Sequence, residues 1–303
     1  MAGILLPRDL LPGLKFAMDG AYKEVPQEYK AVFNEVPADN LSVVESMSYS
    51  GMGLPVEKPL GEDITYDTMQ QLWPSRLVYT AYGLGIRITR EEMEWGQAIK
   101  VGTLRAKDIG RKFALMQNIR AADVLNLGFS QSAAHSGGDG SNLFATSHAI
   151  KGSTTSNRAS ADAALSEASL EQAVLDIEAI KDNSGYKAGL NARKLVVPSV
   201  LQFDARRILK SDGRVGVADN DLNALKDMNL MQDVVVMKYL TSSTAWFVTT
   251  DAPEQEGLIH MEQVPLEFHE EKHFNSMDLK MVAYQRDLFG ALGFRGVYGS
   301  AGA

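Results

Sequence analysis

The helical pattern between residues 89 and 128 constrains this 303-residue chain more than any other feature of its sequence. Thr89 and Glu92 have the spacing of a capping box, in which each side chain accepts a hydrogen bond from the other residue's backbone N–H. The apolar positions then recur at three- to four-residue intervals, as Ile109, Phe113 and Met116 on one stripe and Leu115, Ile119 and Ala122 beside it. A continuous helix over this span would be about 60 Å long at 1.5 Å per residue.

Such a helix is longer than a compact domain of this size needs, so we expect it to act as a strut. Gly96, Gly102 and Gly110 are positions where it could bend or break, because glycine disfavours a helix interior. Gly128 is the expected stop, since glycine commonly follows the last turn of a helix.

The segments before this helix predict an arm and an extended excursion. Prolines at positions 7, 12, 26 and 37 are expected to interrupt every helix in residues 1–45, although apolar residues recur there. Such a segment is either an irregular lead-in on its own domain or an arm that reaches a neighbouring subunit. Residues 46–88 begin with a turn-rich stretch of glycine and proline and end in a strand-like alternation from Ser75 to Ile88. This pattern favours a long hairpin.

The second half of the chain predicts a mixture of helices and strands. The expected elements are a loop region at 130–161, a second helix with Leu170, Val174, Ile177 and Lys181 on one face and Ser169 and Gln172 as its capping box, a buried strand at 194–197, a short helix at 199–210, and strands at 233–240, 245–250, 258–268 and 279–298. The fold class is therefore α+β, with strands that pair out of sequence order.

Charge and composition exclude several classes of function. The chain has 38 acidic and 30 basic residues, a net charge of −8, which argues against wrapping nucleic acid as its main task because phosphate neutralisation needs an excess of Lys and Arg. It has no cysteine, so disulfide scaffolds, cysteine nucleophiles and thiolate zinc sites are excluded and a reducing compartment is indicated. No apolar run reaches the roughly 18 residues that cross a bilayer, and the first residues lack the basic leader of a signal peptide.

The sequence lacks the signatures of the common enzyme classes. It contains no Walker A loop, no G-x-G-x-x-G after a strand and no G-x-S-x-G, and we expect no catalytic, cofactor-binding or metal-binding residues. The glycine-rich stretch Gly137–Asn142 lacks the acidic spacing of a calcium loop and is interpreted as a mobile surface loop. His135, His148 and His260 are scattered and are interpreted as structural residues.

The segment from His269 to His273 has the H-E-x-x-H spacing, which on a helix places two imidazoles on one face around a zinc ion. Its flank is strand-like instead, because apolar residues at 264, 266 and 268 alternate with other positions and Pro265 opposes a helix. In an extended chain four residues span about 13 Å, too far for two ligands that each lie about 2 Å from one ion. No Glu or His follows as a third ligand. A zinc hydrolase that uses His269 and His273 is therefore the disfavoured alternative, and an exposed charged strand is expected.

Several strings in the second half of the chain carry a family resemblance: Leu143–His148, Ala164–Leu170, Arg193–Pro198 with Ala205–Leu209 behind it, and Leu292–Tyr298. In their order they resemble the major capsid proteins of tailed bacteriophages with the Hong Kong 97-type fold. In their local sequence, these strings look closest to the Mu-like major head subunit group. The resemblance covers residues 89–299 in detail and the first 88 residues by layout.

This resemblance implies a division of the chain into an N-terminal arm (1–45), an extended β-hairpin loop (46–88), a peripheral domain (89–165 and 257–303, with its spine helix at 89–128) and an axial α/β domain (166–256). It implies a structural protein, not an enzyme, that assembles as hexamers and pentamers into the icosahedral shell around a phage genome. An encapsulin-like cellular compartment is the alternative with the same fold.

The implied partners are further copies of the chain, a portal, decoration proteins and a scaffolding protein. The scaffolding protein is expected to be separate, because little chain precedes the extended loop. The shell would enclose double-stranded DNA without sequence-specific binding, and a net charge of −8 suits a surface that does not adhere to packaged DNA. The implied location is the virion, after assembly in the host bacterial cytoplasm and without a membrane.

Overall fold

Two four-stranded sheets and one long helix dominate the computed structural model, which describes residues 7–94, 98–130, 138–213, 222–228, 230–231, 233–273 and 275–302. The helices in these ranges are α1 (Pro7–Glu24), α2 (Arg90–Glu94), α3 (Ala98–Asn126), α4 (Glu167–Ala179), α5 (Gln202–Lys210) and α6 (Ala224–Asp227). The strands are β1 (Asn34–Glu35), β2 (Val43–Tyr49), β3 (Gln71–Val78), β4 (Thr80–Ile88), β5 (His148–Ile150), β6 (Ser153–Thr155), β7 (Ala192–Val197), β8 (Asp233–Val236), β9 (Trp246–Thr250), β10 (Leu258–Lys272), β11 (Leu279–Ala291) and β12 (Val297–Ser300).

The strands pair out of sequence order, as predicted. The first sheet has the order β1-β10-β11-β4 and the second has the order β12-β9-β7-β8, while β2 with β3 and β5 with β6 form two-stranded ribbons. β1 runs parallel to β10 and β7 runs parallel to β8, whereas the other pairs are antiparallel. This mixture of helices and sheets agrees with the predicted α+β class. The single strand predicted over 279–298 is instead two strands, because β12 leaves β11 and pairs with β9 of the second sheet.

The long helix begins with the predicted capping box and ends at Asn126, two residues before its predicted end. The Thr89 N–H donates to Glu92 Oε2 at 3.0 Å, and the Glu92 N–H donates to Thr89 Oγ1 at 3.3 Å. α2 follows this box, and α3 then runs for 29 residues, which is about 43 Å. Residues 95–97, with the predicted bend at Gly96, lie outside the described residues.

Gly110 lies inside α3 without bending or ending it, because it lets α1 approach closely. A Cβ at Gly110 would lie 2.2 Å from the carbonyl oxygen of Met18 in α1. Gly102, about two turns earlier in α3, is also a packing position, since a Cβ there would lie 2.9 Å from the side chain of Ile88. The two glycines that predicted a break in the helix are therefore contact points for its neighbours.

Packing also explains the glycine at the end of α3. The helix ends at Asn126, and Gly128 does not have the positive φ of a left-handed cap. A Cβ at Gly128 would lie 2.5 Å from the ring of Phe144. That ring packs on Phe129 and Phe247 in the core between the two sheets, with centroid distances of 4.7 and 5.2 Å. α3 therefore ends near the predicted Gly128, but the glycine is explained by its close contact with the Phe144 ring and not by a left-handed C-cap.

The prolines near the N-terminus do not prevent a helix, which corrects the prediction for residues 1–45. α1 begins at Pro7, where the missing N–H would have had no helical partner, and it contains Pro12. Leu14 and Met18 are at most 1% exposed and pack with Ile109 and Phe113 of α3. This burial offsets the hydrogen bond that Pro12 removes, because most helical stability in proteins comes from packing an apolar face.

The apolar face of α1 therefore packs on its own chain. This agrees with the first alternative given for residues 1–45, in which the segment packs on its own domain. Phe16 behaves differently: it lies on α1 but remains 81% exposed. Residues 1–6 lie outside the described residues.

Gly110→Val is expected to lower the free energy of unfolding by about 3 kcal/mol, because the new side chain would push α1 away from α3. Urea unfolding of the unassembled chain measures this loss. Gly20→Ala in α1 is the matched control, since a Cβ there meets nothing within 4 Å. The control should leave stability unchanged or raise it slightly, because alanine favours a helix more than glycine. Equal losses of unfolding free energy in both variants would contradict the close contact of α1 with α3 at Gly110.

The predicted hairpin is present with a different strand boundary. β2 and β3 pair from Val43 opposite Val78 to Tyr49 opposite Gln71, and residues 50–70 connect them. The single strand predicted over Ser75–Ile88 is divided at Tyr79, because β3 pairs with β2 whereas β4 pairs with β11 of the first sheet.

α4 and α5 pack on the second sheet and share a core with it. The capping box of α4 consists of Ser166 and Ser169, which corrects the predicted pair of Ser169 and Gln172. The Ser169 N–H donates to Ser166 Oγ at 3.2 Å, and the Ser166 N–H donates to Ser169 Oγ at 2.9 Å. The predicted apolar face of this helix is confirmed for Leu170, Val174 and Ile177, which are buried, whereas the predicted fourth member, Lys181, lies beyond the end of α4. The strand and helix predicted at 194–210 are confirmed as β7 and α5.

Candidate assembly surface

The extended loop (residues 50–70) exposes apolar side chains that its own chain does not cover. The side chains that are at least 55% exposed are Met52, Leu54, Val56, Leu60, Ile64, Tyr66 and Met69. Soluble monomers rarely expose a large contiguous apolar surface, because burying it is favourable by roughly 25 cal/mol per Å². The loop therefore has the character of a surface that another protein covers.

Hydrogen bonds at the base of the extended loop hold its two ends together. The Ser50 N–H donates to the Gln70 carbonyl at 2.8 Å, and the Gln70 N–H donates to Ser50 Oγ at 2.9 Å. Further along, Asp67 accepts from the N–H of Gly53 at 2.7 Å and from the N–H of Thr68 at 2.8 Å. These two bonds lower the pKa of the Asp67 carboxyl below its usual range. The loop is thus shaped near its base by its own backbone.

The base of the loop is also fastened to the turn between α4 and β7. Asn183 donates from Nδ2 to the Tyr49 carbonyl at 2.9 Å, and the Leu54 N–H donates to the hydroxyl of Tyr186 at 3.4 Å. Gly51 lies against Ser184 so closely that a Cβ would be 2.1 Å from its hydroxyl. This turn belongs to the segment that leads into the second sheet, so the loop has a fixed root and an exposed tip.

Arg295 holds the turn between α4 and β7 in place. Its buried guanidinium donates to Asn183 Oδ1 at 2.6 Å, to the Lys181 carbonyl at 2.9 Å and to Glu256 Oε1 at 3.0 Å. Asn183 in turn bonds the loop at Tyr49, so one continuous chain of hydrogen bonds runs from Arg295 to the loop. Arg295 is part of the Leu292–Tyr298 string, which is thereby assigned a structural role.

The glycine-rich stretch that the sequence suggested as a mobile loop contains a buried polar network, which corrects that interpretation for its described part. His148 stands between Asp139 Oδ2 at 2.9 Å and Asn157 Oδ1 at 3.0 Å, and its ring stacks on Phe294 at 3.8 Å. Asn157 Nδ2 donates to the carbonyls of three further residues, Leu143, Phe294 and Val297. Burial raises the pKa of the Asp139 carboxyl, but its bonds with His148 and Ser141 outweigh this effect and leave the pKa lowered.

His148 is therefore a structural residue, as predicted. It joins the Leu143–His148 string to the Leu292–Tyr298 string through its stacking on Phe294. Gly137 and His135 lie outside the described residues.

The H-E-x-x-H segment lies in an extended strand, as predicted. His269 is in β10 opposite Val282 of β11, and His273 directly follows the end of β10. The His269 ring is within 3.2 Å of Glu267, whereas the His273 ring is within 3.0 Å of the Ser276 hydroxyl. Across the described ranges no group of three or more His, Asp or Glu side chains could hold a metal ion. This geometry does not bring the two imidazoles together.

Replacing both His269 and His273 with alanine is expected to leave folding and particle formation unchanged, because neither ring is part of a core or a shared site. Circular dichroism and electron microscopy measure the two outcomes. Metal analysis of the wild-type chain provides the counter-test: stoichiometric zinc that is lost in the double variant would contradict the strand interpretation.

Sequence reasoning missed the residues that root the extended loop. Asn183, Tyr186 and Arg295 are ordinary polar residues far from the loop in sequence, and no local pattern marks them. The exposed tip of the loop could have been predicted from the sequence, because residues 50–70 combine apolar side chains with glycines and prolines that prevent them from forming a core. No helix in the part of the chain that the structure describes is long and apolar enough to span a membrane.

Solved structures with a similar fold come from viral and virus-like shells. The capsid of a native GTA particle is 12% identical with a TM-score of 0.56, over 91% of this chain and 90% of that one. The virus-like particle from Pyrococcus furiosus is 9% identical with a TM-score of 0.52, over 96% and 98% of the two chains. The capsid of Myoviridae phage XM1 is 14% identical with a TM-score of 0.50, over 100% of both. Identities this low show a shared fold alone.

No curated protein matches the sequence. The family described as phage capsid protein, however, matches residues 78–300, more than two thirds of the chain. The matched span includes both four-stranded sheets apart from the short β1, and it includes α3 and both strings joined by His148. The chain therefore belongs to the phage capsid protein family, the structural proteins of bacteriophage heads.

Proposed function

We propose that this chain is a major capsid protein that assembles as hexamers and pentamers into an icosahedral shell around a double-stranded phage genome. The observation that carries the proposal is the rooted, apolar extended loop on a chain of the phage capsid family. An exposed apolar segment with a fixed base is suited to cover part of a neighbouring copy, and a closed shell provides such a neighbour for every copy.

The domain division proposed for this function follows the resemblance. It comprises an arm at 1–45, an extended β-hairpin loop at 46–88 that contains the extended loop of residues 50–70, a peripheral domain at 89–165 and 257–303, and an axial domain at 166–256. The two sheets support part of this division: β10 and β11 of the first sheet lie in the peripheral ranges and β7, β8 and β9 of the second sheet lie in the axial range, whereas β4 of the first sheet lies in the 46–88 range. β12 belongs to the second sheet, so the C-terminal segment contributes to both sheets.

The other partners are proposed on the resemblance alone: a separate scaffolding protein, a portal and decoration proteins. Membership of the Mu-like group is likewise proposed from the strings named above. The place of action is the virion, with assembly in the host bacterial cytoplasm. The enclosed DNA would meet a chain of net charge −8, which favours confinement without tight or sequence-specific binding.

An encapsulin-like compartment is the second candidate function. It is the alternative of the same fold that the resemblance implies, and the fold likeness to the virus-like particle from Pyrococcus furiosus is compatible with it. The contents of purified particles distinguish the two functions: packaged DNA supports a phage head, and a protein cargo supports a compartment.

Negative-stain electron microscopy and sedimentation of the purified chain test the proposal. Closed particles, or rings with five or six copies, are the expected result. A chain that stays monomeric at high protein concentration, both alone and when co-produced with the products of its neighbouring genes, would overturn shell assembly.

A further inference from the structure

A group of polar side chains lies between α3 and the first sheet, with three members buried, Arg120 partly buried and Glu262 exposed at the edge. We name it the polar interface cluster and define it by Gln117 and Arg120 on α3, Glu262 on β10, and Gln285 and Asp287 on β11. Gln117 and Gln285 are fully buried, and Asp287 is 1% exposed. A carboxyl group at such a place is costly when it is ionised, because burial removes its hydration.

The partners of the cluster satisfy it only in part. Tyr22 donates from its hydroxyl to Gln117 Oε1 at 2.7 Å, and Gln285 donates from Nε2 to Glu262 Oε1 at 2.9 Å. Four buried atoms of the cluster have no partner within hydrogen-bond distance: Gln117 Nε2, Arg120 Nε, Gln285 Oε1 and Asp287 Oδ2. The Gln117 side chain nevertheless lies near enough to the Asp287 carboxyl to lower its pKa. Such a concentration of unpaired atoms in one interface is unusual, because buried polar groups are normally bonded.

Asp287 has an acidic neighbour on the adjacent strand. It lies directly opposite Glu262 in the pairing of β10 with β11, and opposed side chains on one face are about 5 Å apart. The titratable groups that face the cluster are Tyr22 of α1, Tyr29 of the turn that follows it, Arg120 and Asp123 of α3, Tyr82 of β4 and Glu262 of β10. Burial raises the pKa values of Tyr22, Tyr29 and Tyr82, so these phenols stay neutral. Arg120 is the cation of this set.

We propose that the polar interface cluster is a proton-dependent latch, which holds α3 on the first sheet when Asp287 is protonated and weakens this contact when Asp287 is ionised. The protonated carboxyl is neutral and can donate to a neighbouring acceptor such as Gln285 Oε1. The ionised carboxyl can only accept, and it is buried opposite the exposed acidic side chain of Glu262.

The direction of the pH effect follows from the environment of Asp287. Burial raises the pKa of this carboxyl from 3.8 to about 6, and the repulsion by Glu262 adds to this, although Gln117 and Arg120 act in the opposite direction. Stability from this group is complete below the unfolded value of 3.8 and is lost as the pH rises through about 6. The latch is thus closed in acid and weakened at neutral pH.

His260 on β10 has the opposite dependence and must be separated from Asp287. Its Nε2 is buried without a partner, and burial lowers its pKa from 6.5 to about 4. The chain therefore loses stability from His260 as the pH falls through 6.5. The pH profile of the wild-type chain alone mixes the two effects, whereas comparison with a variant of Asp287 at each pH cancels the contribution of His260.

Asp287→Asn tests the latch, because the amide keeps the shape and stays neutral at every pH. The unassembled chain and its variant are unfolded with urea near pH 5 and near pH 7.5. The ratio of the wild-type to the variant unfolding constant is expected to be about tenfold higher near pH 7.5 than near pH 5. Hydrogen exchange provides a local readout: at neutral pH the variant should protect the α3 amides more than the wild type does, while the β7 amides of the second sheet stay alike.

Asp108→Asn is the matched control, since Asp108 is an exposed carboxylate on the same helix, and its ratio should not change with pH. A ratio for Asp287→Asn that is equally independent of pH would overturn the latch. If that variant does not fold, Glu262→Gln replaces it, because removing the neighbouring charge should reduce the loss of α3 protection between the two pH values. An unchanged loss in Glu262→Gln would also overturn the proposal. These measurements use the unassembled chain, so their outcome is independent of shell assembly.

Discussion

Replacing Phe113 with aspartate is expected to abolish soluble folded protein. Phe113 is 4% exposed and packs with Leu14, Ile109 and Met281 in the core that joins α1, α3 and the first sheet. Loss of a buried phenylalanine costs about 3–5 kcal/mol, and an unpaired buried carboxylate costs several kcal/mol more. Because total stabilities are about 5–15 kcal/mol, the sum is sufficient to unfold the chain. The soluble fraction and a melting curve measure the effect.

Arg111→Glu is the matched charge control, since it introduces a carboxylate two residues away on the opposite, exposed side of α3. Arg111 pairs with Glu24 of α1 at 3.0 Å, and both side chains are more than half exposed. Exposed pairs contribute about 0–1 kcal/mol, so the unassembled chain should remain folded. Equal losses of melting temperature in the two variants would show that α3 is buried on all sides. This result would contradict a helix with one buried face and one exposed face.

The tip of the extended loop is expected to be essential for assembly and dispensable for folding. Leu60, Ile64 and Tyr66 are each at least 64% exposed and contribute little to the core of their own chain. Burying three such side chains on a neighbour would contribute about 1.5–3 kcal/mol each. The triple variant Leu60→Ser, Ile64→Ser and Tyr66→Ser should therefore keep its melting temperature while its particle yield falls below detection.

The control for the loop keeps the apolar character at the same positions. Leu60→Met, Ile64→Val and Tyr66→Phe together should assemble as the wild type does, because the area available for burial changes little. Particle counts from electron microscopy and the sedimentation profile distinguish the two triple variants. Normal particles from the serine variant would show that the loop tip does not mediate assembly, and loss of its melting transition would show that the tip belongs to the fold of its own chain.

Several signals that involve only neighbouring residues were predicted correctly from the sequence, although the capping box of α4 was placed three residues too late. The capping box of Thr89 and Glu92 is present because both partners lie within one helical turn, so no distant contact is needed to form it. The strand at 194–197 follows from a continuous apolar run, and the extended state of His269–His273 follows from the alternation before it and from Pro265. In each case the local chain has one strongly favoured conformation.

Predictions that depended on what lies opposite a residue were wrong or incomplete. Pro12 and Gly110 both read as helix breakers, yet the packing of α1 on α3 offsets the hydrogen bond that Pro12 removes, and the close contact of the two helices requires Gly110. Asp139 appeared to be in a mobile loop because its partner His148 is brought to it by the fold. The base of the extended loop depends on Arg295 and Asn183, which a residue-by-residue reading cannot connect.

The sequence by itself determined the mixture of helices and strands, their pairing out of sequence order, the absence of cysteine chemistry and a resemblance to phage capsid proteins that the family match then confirmed at the family level. Only the tertiary structure decided that α1 packs on its own chain, that β12 joins the second sheet, and that Asp287 is buried opposite Glu262. The physical reason is that propensity and capping act over a few residues, whereas burial, close approach and the ionisation of a carboxyl group are set by whatever the fold brings opposite a residue, as it brings Glu262 opposite Asp287.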